Sequence, residues 1–213
     1  MYRDNPQTSY RMELSGKILK AAMHEFLHYG VKSVKMDDIA NLLGISKRTL
    51  YEIYSNKEEL LLECVRMREA EYDRHMLDYC NTAAHNVIDI IIESYKYQME
   101  SVTDVSPAFF QEIGKYHNVI DFFDRRKQIR NRSSKEFFVR GVKEGYFRND
   151  VDFDIVTRIG QLSMEYAMKT EMYKGYGMKH LLHNILFLLL RGICTPAGVM
   201  KLDDFIEGES RTL

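Results

Sequence analysis

Residues 30–60, GVKSVKMDDIANLLGISKRTLYEIYSNKEEL, constrain this chain more than any other stretch. Met36, Ile39, Ala40 and Leu43 recur at i, i+3, i+4 and i+7, which sets one apolar stripe on a short helix. Gly44 supplies the left-handed backbone position that closes such a helix without a Cβ clash. Ile45 then drops toward the core, and Ser46 can cap the next helix through its hydroxyl. That helix is only about two turns long at 3.6 residues per turn. Leu50, Ile53 and Tyr54 face inward and leave Lys47, Arg48, Thr49 and Tyr51 outside. The pattern is a helix-turn-helix, and an outer face of two cations, a hydroxyl and a phenol suits a DNA major groove.

The remaining sequence adds helices only. Three prolines, twelve glycines and no sustained β-branched alternation point to an all-α chain, and 213 residues need no disulfide or metal to hold a core. Net charge is −1, so the chain as a whole does not announce a nucleic-acid partner. Its distribution says more: residues 1–57 carry nine basic and six acidic side chains, a balance of +3 against −4 elsewhere. Cys64, Cys80 and Cys194 are odd in number and lack a C-x-x-C, which argues for a reducing compartment and against a disulfide framework or thiolate zinc site. The segment MYRDNPQTSYRME is too polar for a signal peptide, and the apolar run 185–190 is far too short to span a bilayer. The expectation is a cytoplasmic protein without membrane contact.

About nine helices are expected. The first spans residues 10–29, with Leu14, Ile18, Ala22 and Phe26 as its i+4 stripe, and the helix-turn-helix follows. Asn56 and Glu59 make a capping-box start for a long fourth helix to about residue 80. His85, Ile88, Ile92, Tyr95, Met99 and Val102 phase a fifth, and Ser106-Pro107 opens a short sixth. A seventh runs over about 119–144, an eighth from Asp152 to about 173 and a ninth over 178–193, and the tail from Thr195 reads as loop. Residues 1–56 would then form a helix-turn-helix DNA-binding domain and residues 57–213 an effector-binding and dimerisation domain.

The stretches ILKAAMHEFLHYG at 18–30 and MDDIANLLGISKRTLYEIY at 36–54, with Lys57-Glu58-Glu59-Leu60 opening the fourth helix, resemble the tetracycline-repressor (TetR) family of bacterial transcriptional regulators. RGICTPAG at 191–198 is similar to the end of that family's last helix. The specific match covers about the first 60 residues, and the rest fits in length and helix pattern. The resemblance implies that Lys47, Arg48 and Tyr51 approach base edges or phosphates, and that Thr49 and Tyr54 help grip the backbone. It implies a phosphate contact for Lys57 at a helix N-terminus. Lys35 stands where the family often has a capping Ser or Thr, and its charge can make the phosphate contact instead. Arg48 occupies a position that many relatives fill with a small residue. A bidentate bond from it to guanine would contribute roughly 1–3 kcal/mol of discrimination.

The family precedent in the second domain is a cavity enclosed by the fourth to eighth helices. Tyr95, Met99, Phe109, Phe110, Tyr116, Phe122, Phe137, Met164, Tyr166 and Met168 are candidate pocket residues for a small apolar or aromatic effector. The same residues at helical spacing also read as plain core. Residues 185–190 are apolar on every helical face, which a monomer's surface helix could not sustain. Gly160, Ser163 and Ala167 would admit a second helix closely, so these, with Leu182, Ile185, Leu186 and Leu189, are the candidate dimer interface.

His24-Glu25-Phe26-Leu27-His28 is a literal H-E-x-x-H, the zinc-peptidase motif. Phe26 is needed in a core, Val31 stands where the extended motif has glycine, and no third ligand follows, so the match reads as accidental. The expectation is a homodimeric repressor on a near-palindromic operator, released by a small molecule, with no catalytic residue, metal or cofactor. Its rivals are a ligand-independent DNA-bound structural protein of the same fold and, more remotely, a zinc peptidase.

Overall fold

The computed structural model describes residues 6–210, and the side chains of all of these except residues 6–9, 132, 133, 209 and 210. The described residues form eleven helices: α1 (Pro6–Tyr29), α2 (Met36–Leu42), α3 (Lys47–Ile53), α4 (Lys57–Thr82), α5 (Val87–Ser101), α6 (Pro107–Ile113), α7 (His117–Lys143), α8 (Phe153–Lys169), α9 (Met172–Tyr176), α10 (Met178–Ile193) and α11 (Pro196–Ser210). Among them the one β-type pairing is an isolated antiparallel bridge between Phe147 and Cys194. The all-α reading holds.

Backbone contacts divide the chain into two units, one of Met1–Glu71 with Asp104–Asp124, the other of Tyr72–Thr103 with Arg125–Leu213. The first unit is built on the apolar stripe of α1. Ile18, Ala22 and Phe26 are fully buried against Ile39 and Ala40 of α2, Leu50 of α3 and Leu60, Leu61 and Cys64 of α4. Each large apolar side chain so buried contributes roughly 1.5–3 kcal/mol of transfer free energy. Phe109 of α6 and Val119 of α7 belong to the same core, so the helix-turn-helix shares its packing with residues well beyond 56. Ser106 caps α6, its hydroxyl accepting from Ala108 N, with Pro107 in the first turn where no N–H is needed.

The second unit centres on Val87, Ile88, Phe147, Phe187 and Leu202. Asn86 caps α5 by accepting from Ile88 N and Asp89 N, and Asn86 N in turn donates to the Asp89 carboxylate, which closes a capping box. Glu144, the residue after α7, accepts from Val87 N at 2.8 Å, so another first-turn donor of α5 is satisfied by a carboxylate. Gly160 lets α8 and α10 approach: a Cβ there would lie 2.9 Å from Leu189 Cδ1.

Two element boundaries in the second unit differ from the expectation, and α1 begins earlier than residue 10, at Pro6. The eighth helix stops at Lys169 because Glu171 adopts a left-handed φ of 56°, and residues after it form the separate α9. The tail is a full helix and not a loop. Thr195 Oγ1 accepts from Gly198 N at 3.3 Å, Pro196 fits the first turn, and Val199, Leu202, Phe205 and Ile206 reach the second unit's core.

Candidate nucleic-acid interface

The turn between α2 and α3 is set by Gly44 at φ +64°, whose N–H donates to Asn41 O while Ile45 N returns to Ala40 O. Ser46 opens α3: its Oγ accepts from Thr49 N at 3.0 Å and meets Thr49 Oγ1 at 2.7 Å. Both hydroxyls are therefore occupied in fixing the helix start, where loss of such a cap costs about 1 kcal/mol. Leu50 is buried completely and anchors α3. Lys47, Arg48 and Tyr51 remain on the outer surface, with Arg48's side chain 89% exposed.

Neither outer cation is without a carboxylate. Lys47 Nζ donates to Asp37 of α2, and Arg48 Nε donates to Glu52 Oε1 at 2.8 Å within α3. These bonds raise both groups further above their ordinary pKa values, so both stay protonated. Exposed pairs of this kind are weak and screened by solvent, so phosphate or guanine can readily displace the carboxylates. The carboxylates thus fix the cations' positions without blocking their exchange. Arg11 of α1 donates to Glu52 O at 2.9 Å and ties the first helix to the same face.

Three residues take places that their expected roles did not specify. Lys35 flanks α2, its N–H donating to Asp38 Oδ2 at 3.0 Å, and its side chain is exposed. Tyr54, expected to help grip DNA, is 5% exposed, and its hydroxyl meets Ser15 Oγ of α1 at 2.7 Å. Burial raises its phenol's pKa, so it stays neutral as a packing residue. Lys57, expected to contact phosphate, points back into the α1–α2 loop. Its ammonium donates to the carbonyls of Val31 (2.8 Å), Val34 (2.9 Å) and Lys32 (3.3 Å). An ammonium has three N–H donors, and these three carbonyls take them all. Burial lowers the Lys57 pKa, with Glu112 opposing the shift.

The second unit contains an apolar hollow of about 800 Å³ lined by α4, α5, α7, α8 and α10. Of the candidate pocket residues, Phe137 lines it. Tyr95 lies beside it in the core, its hydroxyl meeting His183 Nδ1 at 2.9 Å and its ring edge-on to Phe187. Met99, Met164 and Met168 are half-buried on α5 and α8. Phe109, Phe110, Tyr116 and Phe122 instead pack into the first unit's core. Gly160, Leu186 and Leu189, expected at a dimer interface, line the hollow together with Tyr72, Ser94 and Gln98, which sequence spacing had not marked.

Tyr166 is exposed and borders a second concavity of about 920 Å³, shared with Ser163, Ala167 and Ile185. Leu182 is half-buried. The apolar surface left open on this side runs along α8 through Ile155, Ile159, Leu162 and Tyr166, spaced i, i+4, i+7 and i+11, and on α10 through Leu188, 76% exposed.

In the H-E-x-x-H segment the two imidazoles of His24 and His28 stack with centroids 4.2 Å apart. His28 Nδ1 lies 2.9 Å from His24 O and His24 Nδ1 lies 3.2 Å from Glu25 Oε1. Among the described residues no three His, Cys, Asp or Glu side chains are grouped to hold a metal. No helix among them is long and apolar enough to cross a membrane.

Comparison with known proteins fits this geometry. Residues 18–64 match the family model for bacterial regulatory proteins of the tetR family. Over 159 residues, 67% of this chain and 74% of the other, the sequence is 26% identical to the HTH-type transcriptional repressor KstR2 of Mycobacterium tuberculosis. A 46-residue stretch is 44% identical to the uncharacterized HTH-type regulator YhgD of Bacillus subtilis, spanning 22% of this chain and 24% of that one. The fold is similar to a transcriptional regulator of Saccharomonospora viridis in complex with choline, with a TM-score of 0.70 at 18% identity over 86% of this chain and 99% of that chain. KstR2 itself superposes with a TM-score of 0.55 at 23% identity over 85% of this chain and 95% of that chain.

Proposed function

We propose that this chain is a DNA-binding transcriptional regulator of the TetR family, whose family model it matches over residues 18–64, and that it acts as a cytoplasmic homodimeric repressor. In this reading each protomer lays α3 in the major groove of a near-palindromic operator, and a small apolar effector in the second unit releases it.

The observation that carries the reading is α3 itself. It is a short, capped helix anchored by buried Leu50, with Lys47, Arg48 and Tyr51 outward and each cation held in place by an exchangeable carboxylate. Lys47, Arg48 and Tyr51 would meet bases or phosphates, Ser46 and Thr49 would set the helix start, and Lys35 would add a phosphate contact from α2. Tyr54 and Lys57 would act indirectly, by fixing the frame on which α3 sits. The repressor sign is supported by KstR2, a transcriptional repressor.

Dimerisation is supported by the exposed apolar stripe of α8 with Leu188 of α10. Release would follow from differential affinity: the effector favours a conformer in which the paired recognition helices no longer match successive grooves about 34–36 Å apart. α4 begins beside the helix-turn-helix at Lys57 and contributes Tyr72 to the hollow, so it is the covalent route for that coupling. Selection of bound duplexes from genomic DNA, followed by titration of the enriched site, tests the reading. The expected result is a near-palindrome bound by two chains, and retention of no sequence above background would overturn it.

A further inference from the structure

α6 belongs to the same unit as the helix-turn-helix, although it is far from it in sequence. It is seated on the connection between α1 and α2. Ser106 N, at the α6 N-cap, donates to Leu27 O of α1 at 2.7 Å. Ala108 closes on Gly30, whose φ of +79° turns the chain out of α1, and a Cβ there would lie 2.9 Å from Ala108 Cβ. The Glu112 carboxylate accepts from Lys32 N at 2.6 Å, across 80 residues of sequence. That same carboxylate oxygen would stand 3.0 Å from a Cβ on Gly30, so glycine also clears the way for this bond. Lys57 grips the connection from α4, through the carbonyls of Val31, Lys32 and Val34. Lys32 is therefore held at both ends of its backbone, its N–H by an anion from α6 and its carbonyl by a cation from α4. A carboxylate only accepts and an ammonium only donates, so each fixes what the other cannot.

We propose that Glu112 is a positioning residue for DNA recognition: with Lys57 it fixes the α1–α2 connection, and through it the placing of α3. The proposal rests on the DNA-binding reading above and extends its machinery to a helix that lies outside residues 1–56. Between Tyr29 and Met36 no helix holds the backbone, so side chains from elsewhere must. The connection runs directly into α2, and α2 carries α3 through the Gly44 turn. The sign of the charge makes this role distinguishable from a plain electrostatic one. An acid acting only through its field repels phosphate, so its removal tightens binding to every sequence. A positioning acid acts the other way: losing its bond to Lys32 N releases the frame and weakens the operator complex.

Glu112→Gln and Glu112→Met separate the two effects. Both are uncharged and similar in length, but only glutamine keeps an oxygen that can accept from Lys32 N. Fluorescence anisotropy of the full-length wild type and both variants, on the selected operator and on a scrambled duplex at several salt concentrations, is read beside circular dichroism. The methionine variant should bind operator roughly three- to tenfold more weakly than the glutamine variant, the worth of one such hydrogen bond. On the scramble, and in the slope of log affinity against log salt, the two variants should agree. Amide exchange of wild type adds a check that needs no variant: Lys32 is an exposed residue, yet its N–H should exchange more slowly than in unstructured chain. Equal operator affinity of the two folded variants, or an unprotected Lys32 amide, overturns the proposal. A wild type with no preference for operator over scramble would remove the DNA-binding reading and this proposal with it. A clear wild-type preference that both variants keep equally would remove this proposal alone.

Discussion

The ammonium of Lys57 donates to the carbonyl oxygen of Val31 at 2.8 Å, joining the first residue of α4 to the loop that leads into α2. With Val34 and Lys32 as its other acceptors, this one side chain satisfies three carbonyls of the connection between α1 and the helix-turn-helix. Lys57→Met keeps the stem and removes the donors. The part-buried Val31 and Val34 carbonyls, left unsatisfied, would each cost about 1–3 kcal/mol, so the urea midpoint should fall markedly. Operator affinity should weaken through the displaced frame, while the slope of log affinity against log salt stays as in wild type. A slope reduced by about one unit would return Lys57 to direct phosphate contact.

Arg48 is the candidate specificity residue. Arg48→Ala should relax the selected sequence at one or two base pairs of each half-site, a loss of roughly 1–3 kcal/mol in discrimination. Lys47→Ala should weaken all sequences more evenly if its charge meets phosphate. Superimposable sequence logos for wild type and Arg48→Ala would reduce Arg48 to a backbone contact.

The proposed dimer face can be separated from the core. Gly160 faces Leu189 of the same chain, so substitution there disturbs folding itself. Leu162 and Leu188 are exposed in one protomer and are the cleaner targets. Leu162→Asp and Leu188→Asp should yield folded monomers with greatly weakened operator binding, since an unpaired charge buried at an interface is costly. Light scattering beside circular dichroism checks this, and an intact dimer in both variants would place the interface elsewhere.

Much of the first unit was legible because its signals are local. The period of Met36, Ile39, Ala40 and Leu43, the left-handed Gly44 and the Ser46 cap each act within a few residues. What was not legible depends on chain brought from a distance. The three carbonyls on Lys57 come from 23 to 26 residues earlier. Helical spacing marked Phe109, Phe110, Tyr116 and Phe122 as apolar but could not say which of two cores they enter. Gly160 was read as admitting a second helix at a dimer interface; within one chain the helix beside it is α10, through Leu189. In α11 the acids Asp203, Asp204 and Glu207 obscured the spacing of Val199, Leu202 and Ile206, which was present all along.

The cysteines should divide by environment. Burial pushes the Cys64 thiol up to about 12 and that of Cys194 to about 11, so both remain neutral at mildly alkaline pH, while Cys80 is exposed on the wall of the hollow. Thiolate, not thiol, is the nucleophile. Brief alkylation of native protein, read by peptide mass spectrometry, should therefore modify Cys80 and spare the other two until denaturant is added. Native labelling of Cys64 would mean that the first unit's core opens far more readily than its packing implies.

The central claim is that α3 reads DNA in a two-fold complex. Fluorescence anisotropy of wild type and the double variant Lys47→Ala/Arg48→Ala on the selected operator and on a scrambled duplex, with stoichiometry by analytical ultracentrifugation, tests it most directly. The account predicts two protomers per operator, a clear preference for operator over scramble in wild type, and loss of that preference in the double variant with its fold intact. Equal affinity for both duplexes in wild type, or an undiminished preference in the double variant, would contradict it.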